Sequence, residues 1–254
     1  MLELSSEELD RYARQLSLQE LGADGQLILK KSRVAIVGLG GLGSPVALYL
    51  AAAGVGELVL IDPDCVGVSN LQRQILHTTS RVGQKKSDSA QRMLSDVNPF
   101  VKLFPISERV DTENAQRIFH GCHAVVDASD NYATRFLLAR ITREMKIPMI
   151  HGAVMKFAGQ VAVFAPHLGT ACYECMFPDN SEMQSSDTAS AHGILGAHVG
   201  LVGSIQAMET IKALVGIKSP LLGAMLSIDS LRLRFSLIPL QSNSNCNCQS
   251  SSRK

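Results

Sequence analysis

A glycine-rich loop between an apolar segment and an Ala/Leu-rich segment is the feature that most constrains the fold. The apolar segment is Val34-Ala-Ile-Val37, and the loop Gly38-Leu-Gly-Gly-Leu-Gly43 follows it directly. Glycines at the Gly-x-Gly-x-x-Gly positions allow a tight turn and let the backbone approach a phosphate, which binds the amides of a helix N-terminus. The pattern therefore predicts a strand–loop–helix unit with Gly38, Gly40, Gly41 and Gly43 at a nucleotide. Many nucleotide-binding folds share this loop, so the loop alone does not assign a reaction.

Apolar runs and amphipathic segments alternate along the rest of the chain. The predicted strands are 34–37, 57–61, 101–106, 124–128, 149–151, 160–164 and 226–237. The predicted helices are 5–30, 84–97, 111–120, 133–146 and 193–215. The β-α-β order of the first part predicts a Rossmann-like, doubly wound and mostly parallel sheet. The last strands follow one another more directly, which predicts an antiparallel C-terminal extension.

The domain organisation follows from the same pattern. We expect a single domain over residues 1–240, with an N-terminal helical segment at 1–30. The polar stretch 178–192 has no apolar period and is typical of a mobile crossover loop. The tail 241–254 is rich in Cys, Ser and Asn, so we expect it to be disordered unless a metal orders it.

Composition and charge describe an ordinary globular protein. The net charge is +1 at pH 7, 46% of the residues are hydrophobic and the mean hydropathy is +0.12. These values give no electrostatic basis for a nucleic-acid or membrane surface. The first eight residues are acidic where a secretory leader would be basic, and we therefore expect a cytoplasmic protein.

A cluster of polar side chains lies shortly after the glycine loop. Ser69, Asn70, Arg73 and Gln74 fall within six residues of sequence and offer a planar cation, two amides and a hydroxyl. Such groups suit a triphosphate, whereas a nicotinamide enzyme has no need of them. Lys86 adds a second cation, although a lysine at a helix start, taken alone, is more often a solvated surface residue. The combination favours a nucleotide triphosphate over a dinucleotide.

Acidic residues follow two of the predicted strands. Asp62 lies about twenty residues after the glycine loop, where a carboxylate hydrogen-bonds a ribose hydroxyl. Its alternative role is a turn or cap residue. Asp130 and Asn131 follow the strand at 124–128, and a single carboxylate there suits a magnesium ion carried by a nucleotide. Asp130 as the N-cap of the next helix is the alternative, compatible with the same position.

Four of the six cysteines form two short pairs that lie far apart in the sequence. Cys172 and Cys175 have the x-x spacing with which two thiolates grip one ion, while Cys246 and Cys248 are separated by one residue. In a reducing compartment, pairs of this kind predict a structural zinc site that ties a loop to the tail. The shorter spacing gives a poorer grip, so a degraded or absent site is the alternative.

Taken together, these motifs resemble the ThiF/MoeB-type adenylyltransferases (the HesA/MoeB/ThiF family) of the ubiquitin-activating superfamily over nearly the whole chain. The matching segments are Arg11-Tyr-Ala-Arg-Gln15, Gly38–Gly43, Ser69–Gln74, Lys86, Asp130-Asn131, Cys172-x-x-Cys175 and the run from Gly200 to Lys212.

The resemblance implies an activity, its cofactors and its partners. ATP and magnesium would activate the C-terminal glycine of a small ubiquitin-like sulfur carrier, ending in Gly-Gly, as an acyl-adenylate. The sulfur would serve thiamine, molybdopterin or a related pathway. A homodimer is implied, in which Arg14 reaches the active site of the partner. The phosphates would be neutralised by Arg14, Arg73 and Lys86 together, and Asp130 would hold the magnesium ion.

One departure from the family pattern concerns the crossover loop. Related enzymes carry a cysteine a few residues before Gly193, and its place here falls about at Ala189. Without that thiol, we expect adenylation but no covalent transfer by this chain, so that a separate sulfur donor is required. The family's proline after this glycine is also missing, and we interpret His192 and His198 as loop and helix-surface residues.

Three alternatives stay open on the sequence. The altered loop favours adenylation of a small carboxylic acid or peptide in secondary metabolism. A noncatalytic nucleotide- and zinc-binding scaffold is less favoured, since an unused site has no need of converging charges. A nicotinamide dehydrogenase is the weakest alternative, because no feature predicts a nicotinamide pocket.

Overall fold

The computed structural model describes residues 3–177, 193–244, 246 and 248. The strands are β1 (Arg33–Val37), β2 (Glu57–Ile61), β3 (Lys102–Ile106), β4 (Ala124–Asp127), β5 (Met149–Met155), β6 (Ala158–Phe164), β7 (Ala224–Asp229) and β8 (Arg234–Pro239). The helices are α1 (Ser6–Leu16), α2 (Gly22–Lys31), α3 (Gly43–Ala52), α4 (Lys86–Val97), α5 (Ala115–Ile118), α6 (Tyr132–Met145), α7 (Tyr173–Met176) and α8 (Gly196–Val215).

All eight strands belong to one sheet in the order β3-β2-β1-β4-β5-β6-β7-β8. The first five of these are parallel, and β5 to β8 are antiparallel. The predicted parallel sheet with an antiparallel extension is therefore confirmed. Val37 pairs with Ile61 of β2 and with Asp127 of β4, so these three strands end at the same edge.

Helices cover both faces of the parallel part. Val34 and Ile36 of β1 belong to one buried cluster with α3, α4 and α8, whereas Ala35 and Val37 belong to the other, with α5 and α6. A strand that is covered on both faces has a continuously apolar sequence, which explains why every residue of Val34–Val37 is apolar. The strand ends therefore provide the edge at which polar side chains collect.

The close packing predicted for the small residues of the last long helix is confirmed at Gly203. A Cβ built there would lie 2.6 Å from the carbonyl oxygen of Leu42 and 2.5 Å from Cγ of Pro45. Any side chain at this position would push α8 away from the start of α3. Glycine thus lets α8 pack directly beneath the glycine loop.

The structure differs from the predicted elements at three places. The N-terminal helix is two helices, because Gly22 has φ +57° and the chain turns between them. The predicted helix 111–120 shortens to α5, and the predicted strand 226–237 is a hairpin with Leu233 at φ +52°. Periodicity locates apolar segments, but such turns depend on single residues with positive φ.

Two predictions lie largely outside the described residues. The crossover loop 178–192 is one, and most of the tail after residue 244 is the other. Within the described part of the chain, no helix is long and apolar enough to cross a membrane.

Candidate functional site

A pocket opens at the carboxyl ends of β1, β2 and β4, where the strand order reverses between β1 and β4. Open α/β sheets bind ligands at such a switch point. The predicted residues that line it are Gly38, Gly40, Gly41, Asp62, Arg73, Gln74, Lys86, Asp130 and Asn131. The fold thus brings most of the predicted nucleotide-binding residues together, from segments that are far apart in the sequence.

Steric requirements explain the glycines at the two ends of the loop. Gly38 has φ +96°, and a Cβ there would lie 2.7 Å from the carbonyl oxygen of Ala128. At Gly43, a built Cβ would lie 1.8 Å from the carbonyl oxygen of Gly38. Gly43 is not among the described residues that line the pocket, so its role is to let the loop close at the start of α3.

Asp62, directly after β2, fixes the glycine loop. Its Oδ2 accepts a hydrogen bond from the backbone N–H of Leu39 at 2.8 Å, and its Oδ1 accepts one from that of Asp64 at 2.9 Å. Burial raises the pKa of this carboxyl, against the opposing effect of the neighbouring Lys86. Both carboxylate oxygens of Asp62 therefore already accept hydrogen bonds from the protein backbone, independently of any contact with a ribose.

Lys86, the first residue of α4, is 6% exposed and not the solvated surface residue that its position alone indicates. Its Nζ lies 3.1 Å from Oδ2 of Asp64 and 3.8 Å from Oδ2 of Asp62. The two carboxylates hold the ammonium group at the pocket wall. A cation held in this way can bind a phosphate oxygen without reorganisation.

The Ser69–Gln74 segment divides into residues that reach the pocket and residues that shape the turn. Arg73 and Gln74 line the pocket, and Oε1 of Gln74 is buried with no hydrogen-bond partner among the described residues. Ser69 and Asn70 are not among the lining residues. The carbonyl oxygen of Ser69 accepts from Arg73 at 3.0 Å, and Oδ1 of Asn70 accepts from the backbone N–H of Gly67 at 3.1 Å. These bonds orient the arginine and the 3₁₀ turn before it.

Asp130 and Asn131 follow β4 at the pocket edge. Asn131 is the N-cap of α6, since its Oδ1 accepts from the backbone N–H of Thr134 at 2.9 Å. The cap role considered for Asp130 is therefore wrong, and the side chain of Asp130 is exposed at the pocket. Arg14 lies on α1, is exposed, and is not among the residues that line the pocket of its own chain.

The polar lining residues that were not predicted from the sequence include Asp64, Ser129 and Arg135. Asp64 pairs with Lys86, Ser129 donates from Oγ to Oδ1 of Asp127 at 2.6 Å, and Nη2 of Arg135 donates to the carbonyl oxygen of Ser129 at 3.0 Å. Arg135 lies on a buried face of α6, which helical periodicity does not distinguish from a surface position. For Asp64, the available signal was its place in the turn after β2, beside Asp62.

The four predicted zinc ligands come together in one cluster. Sγ of Cys172 lies 3.7 Å from that of Cys175 and 3.5 Å from that of Cys246, and Cys175 lies 3.4 Å from Cys248. All four sulfurs lie within 4.8 Å of one another. Tetrahedral Zn–S bonds of ≈ 2.3 Å require sulfurs roughly 3.8 Å apart, so these residues fit the metal. The short Cys-x-Cys spacing does not prevent the tail from reaching the loop.

His198 on α8 was interpreted as a helix-surface residue, and that interpretation is wrong. It is 3% exposed, and neither ring nitrogen has a hydrogen-bond partner among the described residues. The ring packs beside Gly159 of β6, where a built Cβ would lie 3.1 Å from it. Ala189 and His192 lie outside the described residues.

Several known proteins are similar in sequence to this protein over nearly its whole length. The SAMP-activating enzyme E1 of Haloferax volcanii is 42% identical over 96% of this chain and 90% of its own length. The sulfur carrier protein adenylyltransferase of Thermus thermophilus is 41% identical over 95% and 91%, respectively. Adenylyltransferase and sulfurtransferase MOCS3 of Drosophila willistoni is 42% identical over 98% of this chain, which spans 55% of that protein.

A solved structure and a family signature complete the comparison. The selenomethionine structure of PaaA superposes with a TM-score of 0.81 at 24% identity, over 94% of this chain and 76% of PaaA, which supports the fold. The ThiF family signature matches residues 12–250. The chain, which carries both the glycine loop and the cysteine cluster within the matched residues, therefore belongs to the ThiF family.

Proposed function

We propose that this protein adenylates the C-terminal glycine carboxylate of a small ubiquitin-like sulfur carrier with ATP and releases pyrophosphate. The chain is an adenylyltransferase by its family and by named adenylyltransferases at 41–42% identity. The observation that carries the proposal is the convergence of Arg73 and Lys86 on the glycine loop in one pocket. The names of the Haloferax and Thermus relatives support a carrier as the substrate more than a small acid or peptide. The activated carrier would supply sulfur for thiamine, molybdopterin or a related metabolite.

The pocket residues fit a nucleotide. The glycine loop leaves its backbone open to a phosphate, and the unpartnered Oε1 of Gln74 can accept a hydrogen bond from a ligand. In the reaction, the carrier carboxylate attacks the α-phosphate, and pyrophosphate leaves with most of the new charge. Arg73 and Lys86 stabilise that charge, while Asp62 and Asn70 act by holding the loop and turn that orient them.

Magnesium would be held by Asp130. Its exposed carboxylate lies at the pocket and, among the described residues, has only a 3.5 Å contact with Nδ2 of Asn131, so its oxygens are available. Magnesium typically uses one or two carboxylates together with phosphate oxygens, which fits this donor set. When bound, the ion supplies charge neutralisation at the leaving phosphates.

We propose a homodimer in which Arg14 completes the site of the partner. Arg14 is exposed on α1 and does not line the pocket of its own chain, and the family resemblance assigns it to the other protomer. A second arginine would add to the charge that Arg73 and Lys86 provide.

We propose that zinc occupies the cysteine cluster in a structural role. Four thiolates with no open position are typical of structural sites and leave no place for a substrate. None of the six cysteines forms a disulfide, which suits a cytoplasmic location. Because Ala189 takes the place of the family's loop cysteine, the carrier adenylate would pass to a separate sulfur donor.

Carrier-dependent ATP–pyrophosphate exchange tests this function, using each small protein of the same genome that ends in Gly-Gly. Arg73→Ala and Asp130→Ala should lower exchange at least ~10²–10³-fold while the melting temperature stays near that of the wild type. Arg92→Ala and Asp96→Ala, exposed residues outside the pocket, are the matched controls. No exchange with any carrier, or normal exchange in both pocket variants, would contradict the proposal.

A further inference from the structure

A buried carboxylate–imidazole pair lies beneath the pocket. Asp127 ends β4, His151 lies opposite it on β5, and both are 0% exposed. Nδ1 of His151 and Oδ2 of Asp127 are 2.7 Å apart. Burial alone raises the pKa of Asp127, but the hydrogen bond from His151 outweighs this effect and holds the pKa below its usual value. Burial lowers the pKa of His151, against the opposing effect of the hydrogen bond to Asp127.

The hydrogen bonds of the ring define its tautomer. Nε2 of His151 lies 3.2 Å from Nε2 of Gln160, an amide nitrogen that can only donate. Nε2 of the histidine is therefore the acceptor, and Nδ1 carries the proton that it donates to Asp127. The carboxylate depends on this donor, because an unmet hydrogen-bonding need in a fully buried group is costly.

Asp127 passes this constraint to the loop that carries Asp130. Its Oδ1 accepts two hydrogen bonds from Ser129, from Oγ at 2.6 Å and from the backbone N–H at 3.1 Å. The carbonyl oxygen of Ser129 accepts from Arg135 at 3.0 Å. By contrast, within the described part of the chain the side chain of Asp130 has only the 3.5 Å contact with Asn131. The backbone before Asp130 is thus fixed through Ser129 and Asp127, while Asn131 fixes the backbone after it by capping α6.

The other side of the imidazole faces the aromatic residues next to the cysteine cluster. The ring centroids of His151 and Tyr173 are 5.2 Å apart at an interplanar angle of 67°. Tyr173 directly follows Cys172 in the sequence and also packs against Phe164 at 5.6 Å. His151 therefore contacts Asp127, two residues before Ser129, on one side and Tyr173, next to Cys172, on the other.

We infer that His151 is a positioning residue of the nucleotide site, which holds Asp127 and Ser129 so that Asp130 meets the magnesium ion of bound ATP. This inference rests on the proposed function. Residues that orient a metal ligand from outside the coordination shell typically change metal affinity 10–100-fold when they are replaced. His151 acts here through two intervening residues and does not contact the nucleotide.

The test compares two substitutions that separate the hydrogen bond from the ring. His151→Phe keeps an aromatic ring against Tyr173 but loses the donor to Asp127. His151→Asn loses the ring but can place an amide N–H near the position of Nδ1. The measurement is calorimetric binding of ATP, without carrier, over a series of MgCl₂ concentrations. His151→Phe should raise the Mg²⁺ concentration for half-maximal binding roughly 10-fold or more, and His151→Asn should restore part of it.

Phe164→Leu is the matched control, because Phe164 packs in the same aromatic cluster and its side chain has no group that can donate a hydrogen bond to Asp127. It should lower the melting temperature without changing the Mg²⁺ requirement. If His151→Phe does not fold, Ser129→Ala removes the hydroxyl bond to Asp127 and should shift the Mg²⁺ requirement in the same direction.

Each outcome separates this inference from the proposed function. Normal Mg²⁺ dependence in His151→Phe, or an equal shift in Phe164→Leu, overturns the positioning role while adenylation stands. Absence of Mg²⁺-dependent ATP binding in the wild type overturns both. A shift confined to the donor-loss variants, with partial recovery in His151→Asn, supports the role.

Discussion

A single added methyl group at Gly43 should test the structural basis of the site. In Gly43→Ala the new Cβ would lie 1.8 Å from the carbonyl oxygen of Gly38 and 2.9 Å from its carbon. Carbon contacts are favourable at about 3.5–4.0 Å, so the start of α3 must move about 1.7 Å away from the carbonyl group of Gly38. Both contacts are backbone atoms, and no flexible side chain can move aside instead.

The expected cost follows from this displacement. Overpacking of this kind destabilises a protein by about 1–3 kcal/mol, which corresponds to a melting temperature lower by about 2–12 °C for a chain of this size. Because the loop forms the pocket wall, a shift of about 1 Å should also lower the rate of pyrophosphate exchange by about 10²-fold. Differential scanning fluorimetry and ATP–pyrophosphate exchange measure the two effects separately.

Gly200→Ala is the control for the loss of a glycine as such. Gly200 lies inside α8, and a built Cβ there meets no atom within 4 Å. Alanine in a helix interior should stabilise the protein by about 0.5–1 kcal/mol relative to glycine. A Gly43→Ala protein with wild-type melting temperature and pyrophosphate-exchange rate would refute the steric argument.

Three further predictions concern the cation, the cysteine cluster and pH. Lys86→Met should lower pyrophosphate exchange about 10²–10³-fold, whereas Lys85→Met, its exposed neighbour, should not; equal effects would contradict the assignment. Cys172→Ser should release bound zinc and lower the melting temperature, and metal-free wild-type protein with a silent substitution would end the zinc proposal. Burial lowers the pKa of His77 and His151 below 6.5, so below that pH the unfolded chain binds protons that the folded chain does not. Unfolding free energy should therefore fall with decreasing pH, by up to about 1.4 kcal/mol per pH unit for each histidine, and a flat urea-denaturation profile from neutral pH downward would contradict this.

Local pattern was sufficient for much of the fold and for placing several polar residues at the pocket. The apolar run before Gly38 defined β1, and the alternation of strands and helices defined a doubly wound sheet. Since parallel strands end at one edge, residues that follow them in sequence, such as Asp62 and Asp130, had to collect there. The prediction that the two cysteine pairs come together in one cluster was also correct. Two short pairs of thiols in one chain have few other roles than binding a shared metal ion.

Other features were decided only by tertiary structure. The sequence did not distinguish Asp130 from Asn131 as the helix cap, because both residue types cap helices and only the backbone direction selects one. It placed His198 on a surface, because helical periodicity does not show which face a sheet covers. Asp127 and His151 are 24 residues apart in sequence and meet only through strand register. Sequence determined which segments form the sheet and which groups lie at its edge, since that information is local. Packing decided which buried polar groups pair with each other. Each such group needs a partner, and only the completed fold brings that partner near.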